Sequence, residues 1–541
     1  MDHDYDWLVI GSGFGGSVSA LRLSEKGYSV GVLECGRRFA DAELPRSTWH
    51  LRRYFWAPRL GMRGIFRISI FRDVAIVSGA GVGGGSLGYA NTLYRARRRF
   101  YEDPQWAGLA DWESALAPHY DVAERMLGVV AYDEDDHADD LLREYAREIG
   151  VEDTYAKTRV GVFLSEPGRT VPDPYFGGAG PDRTGCLRCG RCMVGCPHGA
   201  KNTLVKNYLW LAERAGAEVL PERMVVDVRP LGAPDGSDGY EVVTERPGAW
   251  LRRRRQTFTA GGVVVAAGAL GTNRLLATAS LPRLSGRVGE LVRTNSEAIV
   301  AVTLPPGAPD ITRRVAITGS IYPDPDTHVE TVVYGEAGDS ISALYTLLVG
   351  DGTRVTRPLK LLRAAGRHPL TFLRLFDPRG WSRRTIIVLV MQTLDNAIAL
   401  RARRTLGGGV RLQTEQDPER PIPTYMPVAN HFAQWLARRT GGVAQSSFME
   451  ALANVPSTAH ILGGAAIGAD PSSGVVDARQ RAFGYENLLV CDGAAVPANV
   501  GVNPSLTITA MAEHAMSHVP PAAGYGDGAV TSRAKASNTS T

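Results

Sequence analysis

Residues 7–34 constrain the fold of this chain more than any other stretch. A short apolar run, residues 7–10, reads as a buried strand. Gly11-Ser12-Gly13-Phe14-Gly15-Gly16 follows at once and matches G-x-G-x-x-G. Residues 17–26 then show helical spacing, with Val18, Leu21 and Leu23 apolar and Gly27 as a stop. Residues 28–33 read as a second strand, with Glu34 at its end. Each residue type has a physical reason. Gly11 permits the tight turn, Gly13 lets backbone approach a pyrophosphate, and Gly16 lets helix pack on strand. The helix start presents free N–H groups and a positive dipole end to phosphates. Glu34 lies 18 residues past Gly16, near the spacing of a carboxylate that binds a ribose hydroxyl. The unit binds a dinucleotide, and by itself it does not separate NAD from FAD.

The remaining length is what makes this unit only part of the fold. At roughly 150 residues per domain, 541 residues hold several domain-sized units. With 44% apolar and 21% charged residues, wholesale disorder is excluded. A net charge of +4 over this length gives no warrant for a nucleic-acid partner. The start is acidic and enters an apolar run at once, unlike a signal peptide. The longest apolar runs, such as residues 386–391, are too short to span a bilayer. A cytoplasmic protein is expected. Residues 521–541, rich in Pro, Gly, Ser, Thr and Ala, are expected to be disordered.

Three later segments look like parts of the same nucleotide domain. Residues 79–86 form a glycine-rich loop whose N–H groups could line a phosphate or a flavin edge. Residues 263–267 form an apolar strand followed by Gly268-Ala269-Leu270-Gly271. Residues 488–490 lead into Cys491-Asp492-Gly493, where a carboxylate can face a ribityl–phosphate chain or simply make a strand-to-turn junction. The last helix begins at Asn503-Pro504-Ser505, with Asn503 as N-cap and Pro504 at N1. Its positive end would favour an anionic ring at its start.

In combination these segments resemble the glucose–methanol–choline (GMC) flavoprotein oxidoreductases. The shared stretches are GSGFGGSVSALRL with Glu34, GVGGGSL, VVVAAGALGT, STAHILGG and CDGAAVPANVGVNPSLTITAMAEH. Within that family the chain is most similar to the bacterial cholesterol oxidases with non-covalent FAD, especially actinobacterial ones with a cysteine cluster. The resemblance implies an α/β fold. A Rossmann-like FAD-binding domain would be assembled from residues 1–100, 205–295 and 456–520. An insertion, 101–204, would carry the cysteines. An α+β substrate domain with a largely antiparallel sheet would occupy 296–455. Runs at 298–304, 315–318, 329–334 and 386–392, rich in Val, Ile and Thr, agree with such a sheet.

Carried over residue by residue, His460 and Asn503 match the family's active-site pair. Gly11, Gly13, Gly16, Glu34, Gly85, Val225, Asp492, Gly493 and Ser505 match or border cofactor-contact positions. Tyr89 stands where sterol oxidases place an asparagine, and Asn91 comes two positions later. The expected chemistry is oxidation of a secondary alcohol to a ketone, with hydride passing to flavin N5. Neutral imidazole suits the hydroxyl proton, so His460 is the expected base and Asn503 the orienting group. The resemblance implies a 3β-hydroxysteroid such as cholesterol. A GMC dehydrogenase for a sugar or terpenoid alcohol, and a non-catalytic electron-transfer flavoprotein, stand as alternatives. Glu330 and Glu336 lie in the region where sterol oxidases keep an isomerase carboxylate.

Four of the six cysteines crowd into one run, Cys186, Cys189, Cys192 and Cys196-Pro197. C-x2-C-x2-C-x3-C-P is the bacterial ferredoxin spacing. It predicts a [4Fe–4S] cluster on four thiolates or a [3Fe–4S] cluster on three. Structural zinc and plain reduced thiols are the other readings. A cluster would give reduced flavin a one-electron exit to an external acceptor in place of O2. Residues 51–66 interleave aromatic and basic side chains, which reads either as a lid for transient membrane-surface contact or as a packed loop. The arginine runs 97–99 and 252–255 read as solvated or ion-paired faces.

Overall fold

A computed structural model describes residues 3–249, 254–404 and 410–525. Two seven-stranded sheets organise the chain. The first is built on the N-terminal unit. Strand Tyr5–Ile10 pairs in parallel with Val30–Leu33 on one side and with Gln256–Val265 on the other. Gln256–Val265 is long enough to change partners midway. Its first half pairs antiparallel with Tyr240–Glu245, and its end pairs in parallel with Leu488–Val490. Residues more than 200 positions apart thus form one sheet, because buried Val-rich strands need covered neighbours on both edges.

Helix Phe14–Glu25 starts three residues earlier than the periodicity predicts, because Gly13 acts as its N-cap and the end of the glycine motif is itself helical. It lies against Tyr208–Arg214 and Ser505–Ser517. Arg22 locks this layer with a two-pronged pair to Glu513, Nε and Nη2 each at 2.8 Å, and Tyr208 Oη donates to Glu513 Oε1 at 2.6 Å.

The second sheet is antiparallel over its main strands: Tyr345–Leu347, Val443–Ser447, Ala298–Thr303, Thr385–Gln392, Thr327–Val332, Ile317–Asp324 and Ala156–Lys157. Two of its strands are displaced from the expected runs. Ile317–Asp324 extends beyond 315–318, and Thr327–Val332 begins earlier than 329. The polar residues His328, Glu330 and Ser320 hid these strands from a reading based on apolar runs. One face, with Val300, Val329, Val388 and Val390, packs on helices His137–Glu148 and Pro427–Thr440. The other, with Val332, Ile387, Leu389 and Met391, meets Phe39, Tyr54, Ile65 and Leu87 from the N-terminal third.

Tyr54 and Ile65 are buried, and Tyr54 packs edge-on against Phe55 and Phe66, so residues 51–66 place most of their aromatics inward. Arg97 stacks over Tyr322, Arg98 pairs with Glu102, Arg99 with Asp326 and Arg255 with Glu245. Arg252 and Arg253 lie outside the described residues. So does the tail from 526 onward, whereas Ala522 N donates to Lys26 O and Tyr525 covers Gly27. No helix among the described residues is long and apolar enough to cross a membrane.

Candidate active site

The glycines divide into those that need close packing and two, Gly13 and Gly85, that leave room. A Cβ on Gly11 would sit 2.2 Å from Ala266 O, and one on Gly16 would sit 2.0 Å from Gly11 O. Gly11 also adopts φ +102°, which disfavours any side chain. A Cβ on Gly13 would meet nothing within 4 Å. Gly13 therefore borders open space at the start of helix Phe14–Glu25, where no side chain caps the N–H groups. Gly84 passes behind it, since a Cβ there would lie 2.7 Å from Gly13 Cα. Gly85 is free on its outer side, with only Phe14 Cε2 at 3.9 Å. Uncapped N–H groups beside a space that only glycine preserves fit a pyrophosphate.

Glu34 is buried at the end of Val30–Leu33 and accepts from Ser12 N and Oγ at 3.1 and 2.6 Å and from Gly36 N at 2.8 Å. The 220–223 turn closes on it, with Glu34 N donating to Leu220 O and Arg223 N to Glu34 O. Val225 follows that turn, half-buried beside a bulge in Met224–Pro230. Asp492 does not offer a free carboxylate. Its Oδ2 accepts from Gly268 N at 2.8 Å and Thr272 Oγ1 at 2.6 Å, and Oδ1 from Ala494 N at 2.8 Å. Burial pushes it up to about 6. It positions its loop and the start of helix Gly268–Leu276. Gly493 O accepts from Gly463 N at 2.8 Å, tying the Asp492 loop to the His460 segment.

A single strip, residues 293–297, holds the two loops that carry His460 and Asn503. Arg293, buried, donates to Pro497 O and pairs with Asp395. Asn295 Nδ2 donates to Val502 O at 3.0 Å, and its Oδ1 accepts from Gly501 N at 2.7 Å. Glu297 Oε2 accepts from Ala459 N at 2.7 Å, while Oε1 pairs with His460 Nδ1. Asn295 and Ser296 have φ +59° and +45°, and Leu291, two residues before the strip, has φ +53°, so the strip and its approach store backbone strain. Nothing in the local sequence marks Glu297, which is 163 positions from His460. Its carboxylate fixes the ring tautomer, leaving Nε2 as the acceptor.

Asn503 is not the helix cap that the sequence suggests. The helix is Ser505–Ser517, capped at Pro504, and the Asn503 side chain crosses to the second sheet instead. Its Nδ2 lies 3.4 Å from Glu330 Oε2. Asn503 Oδ1, Glu330 Oε1 and both amide atoms of Asn91 are buried without a partner. Burial pushes Glu330 up to about 8; the Asn503 hydrogen bond opposes the shift and Glu297 adds to it. His328, two positions earlier on the same strand face, is pinned between Tyr322, stacked at 4.6 Å, and Tyr94, edge-on at 5.0 Å. Burial, with Arg97 second, lowers it to about 3, so it stays neutral. Glu336 lies apart, paired with Arg191 and Arg383 on the surface.

The four cysteines of the 186–196 run do not form the expected cluster site. Among the described residues, no group of three or more His, Cys, Asp or Glu is placed to hold a metal ion. The thiols are free, and Cys186, Cys192 and Cys196 turn into an apolar cluster with Tyr132, Val160, Val162 and Val315. Burial, then neighbouring thiols, pushes Cys186 up to about 11 and Cys192 up to about 12. With no such metal-holding group among the described residues, the iron–sulfur and zinc readings find no support in this geometry. The loop has another link. Lys201 Nζ, fully buried, donates to Cys192 O at 2.9 Å and to Leu87 O and Tyr89 O at 3.1 and 2.7 Å. It joins the cysteine loop to the glycine loop, and burial brings it down to about 7.

A dinucleotide cradle beside a carboxylate-held histidine defines a nucleotide-dependent oxidoreductase. The profile of FAD dependent oxidoreductases matches residues 6–330, and that of GMC oxidoreductases matches residues 390–512. A cholesterol oxidase of Mycobacterium tuberculosis is 52% identical over 96% of this chain and 92% of its own. One of Acinetobacter baumannii is 45% identical over 96% and 95%. Among solved structures, a pyridoxine 4-oxidase from Mesorbium loti aligns with TM-score 0.60 at 15% identity, covering 95% and 98%, which speaks for the fold alone. The chain belongs to the GMC oxidoreductase family and is an FAD-dependent alcohol oxidoreductase.

Proposed function

We propose that the chain oxidises the secondary hydroxyl of a sterol, a 3β-hydroxysteroid such as cholesterol, to the ketone. The near-full-length likeness to the Mycobacterium cholesterol oxidase carries the substrate class. The second sheet supports it, because Ile299, Leu389 and Met391 share the face that carries Glu330. Gly11, Gly13, Gly16, Gly85, Glu34, Val225, Gly493 and Ser505 would border FAD, with Asp492 holding its loop. Bound FAD would supply the hydride acceptor and be reoxidised by O2, which leaves as hydrogen peroxide.

The chain's own residues handle the proton and the orientation. His460 Nε2 takes the hydroxyl proton while Glu297 steadies the imidazolium that forms. Asn503 Oδ1, free of protein partners, is available to the substrate hydroxyl. The carbinol loses a hydride and a proton, and the ketone results. A second step has its own support. Glu330, buried with a free oxygen and shifted upward, suits proton movement α to the new ketone, which would isomerise the product.

Anaerobic mixing with sterols, sugars and terpene alcohols tests the reading. Sterols should bleach the flavin fastest. Faster bleaching by a sugar or terpene alcohol would replace the substrate assignment.

A further inference from the structure

Residues 353–376 depart from the rest of the surface. These 24 residues hold six Lys or Arg and no Asp or Glu. They fold as two successive helices, Thr356–Arg367 and Pro369–Arg374, broken at His368 and Pro369. The first helix divides into three stripes at helical spacing. Arg357, Leu361 and Ala364 face inward, and Leu361 packs with Phe372 and Leu375 on Leu347, Val349 and Ala451. Arg357 Nη1 anchors this face to Thr424 O and Asn454 Oδ1 at 2.8 and 2.9 Å. Lys360, Arg363 and Arg367 form a second, exposed stripe. Val355, Leu359 and Leu362 form the third and are 69%, 59% and 68% exposed. Leu370, Leu373 and Phe376, three apart, extend it and are each at least 60% exposed.

Single exposed leucines are ordinary, but a row of six is not. Among the described large apolar side chains elsewhere, only Leu60 is as exposed. The charges decide what could cover this row. Arg363, Arg367 and Arg374 form no ion pair among the described residues, and Lys360 donates only to a main-chain carbonyl, that of Asp351. An apolar ridge flanked by uncompensated cations complements anionic headgroups above acyl chains. The patch also connects to the cofactor side. Arg354 Nη2 donates to Arg72 O at 2.8 Å, in the turn before strand Ala75–Gly79 that leads into the glycine loop.

We infer that residues 353–376 dock the protein on an anionic lipid surface. Leu359, Leu362, Leu370, Leu373 and Phe376 enter the acyl boundary, and Lys360, Arg363, Arg367 and Arg374 meet lipid phosphates. The inference goes beyond the proposed sterol chemistry and does not depend on it, because binding is read without turnover.

The test is co-sedimentation of FAD-loaded protein with phosphatidylglycerol–phosphatidylcholine vesicles and with phosphatidylcholine alone. The wild-type chain should sediment with the anionic vesicles and far less with the neutral ones. A Leu362→Ser, Leu373→Ser, Phe376→Ser variant should lose binding. A Lys360→Gln, Arg363→Gln, Arg367→Gln variant should bind anionic vesicles on the order of a hundredfold more weakly. All six positions are exposed, so flavin content and thermal transition should not change. Equal sedimentation of wild type and both variants, or none by the wild type, overturns the inference. Wild-type dimers in sedimentation velocity that the leucine variant abolishes would assign the ridge to a second copy instead, and also overturn it.

Discussion

Asn503 Nδ2 lies 3.4 Å from Glu330 Oε2, at the seam between the last loop of the nucleotide fold and the second sheet. Each keeps one buried oxygen without a protein partner. An unpaired buried polar atom costs about 1–3 kcal/mol, so two on residues in contact fit a place that takes a polar ligand group. With the histidine–carboxylate pair nearby, the seam sets three expectations, and the glycine motif sets a fourth.

His460→Ala should lower the rate of anaerobic flavin reduction by about 10²–10⁴-fold, the range for loss of a general base. Asn503→Ala should cost about 10²-fold, as for a lost orienting donor or acceptor. Both variants should retain bound FAD, because neither residue lies in the glycine cradle. Stopped-flow bleaching with cholesterol reads the effect. Wild-type rates in both variants would remove the pair from the chemistry.

Glu297→Gln keeps the acceptor for Ala459 N but removes the negative charge beside the His460 ring. kcat should fall about tenfold to a hundredfold, the usual cost of losing a partner that orients a histidine, with KM nearly unchanged. A purely structural role would instead lower flavin content and the thermal transition together with kcat.

Glu330 is raised from its ordinary value to about 8, so between roughly pH 4.5 and pH 8 the folded chain holds a proton that the unfolded chain lacks. Its contribution to stability is full below that window and is lost as pH rises through it. Urea unfolding of wild type and Glu330→Gln across the window should show the variant gaining relative to wild type as pH rises. A constant difference would refute the raised value. If the carboxylate also isomerises the ketone, that step should rise through about pH 8 and vanish in the variant, while ketone formation persists.

Gly13→Ala and Gly16→Ala should fail differently. The Gly13 Cβ enters open space and, at φ −73°, costs no backbone strain. The variant should fold and bind FAD about tenfold to a hundredfold more weakly, or roughly 1–3 kcal/mol. The Gly16 Cβ strikes Gly11 O, so that variant should lose about 2–4 kcal/mol of stability. Flavin fluorescence titration and thermal unfolding separate the two.

The sequence alone determined the nucleotide unit, because G-x-G-x-x-G, the flanking strands and Glu34 interact within a few turns of chain. It also pointed to His460 and Asn503, through resemblance over stretches that stay contiguous. Tertiary structure decided the rest. Glu297 reaches His460 across 163 positions, and Lys201 reaches Tyr89 across 112, so no local periodicity could reveal either. Glu330 and His328 interrupt an apolar strand pattern, and only the sheet pairing shows which face they share. The cysteine spacing was legible, but whether the sulfurs meet a metal or an apolar core depends on how the loop is turned. That turn is set by distant partners such as Arg314 O, which accepts from Gly190 N, and Lys201, which holds Cys192 O. Spacing along a chain fixes which atoms can meet locally, whereas burial and long-range hydrogen bonds select which of them do.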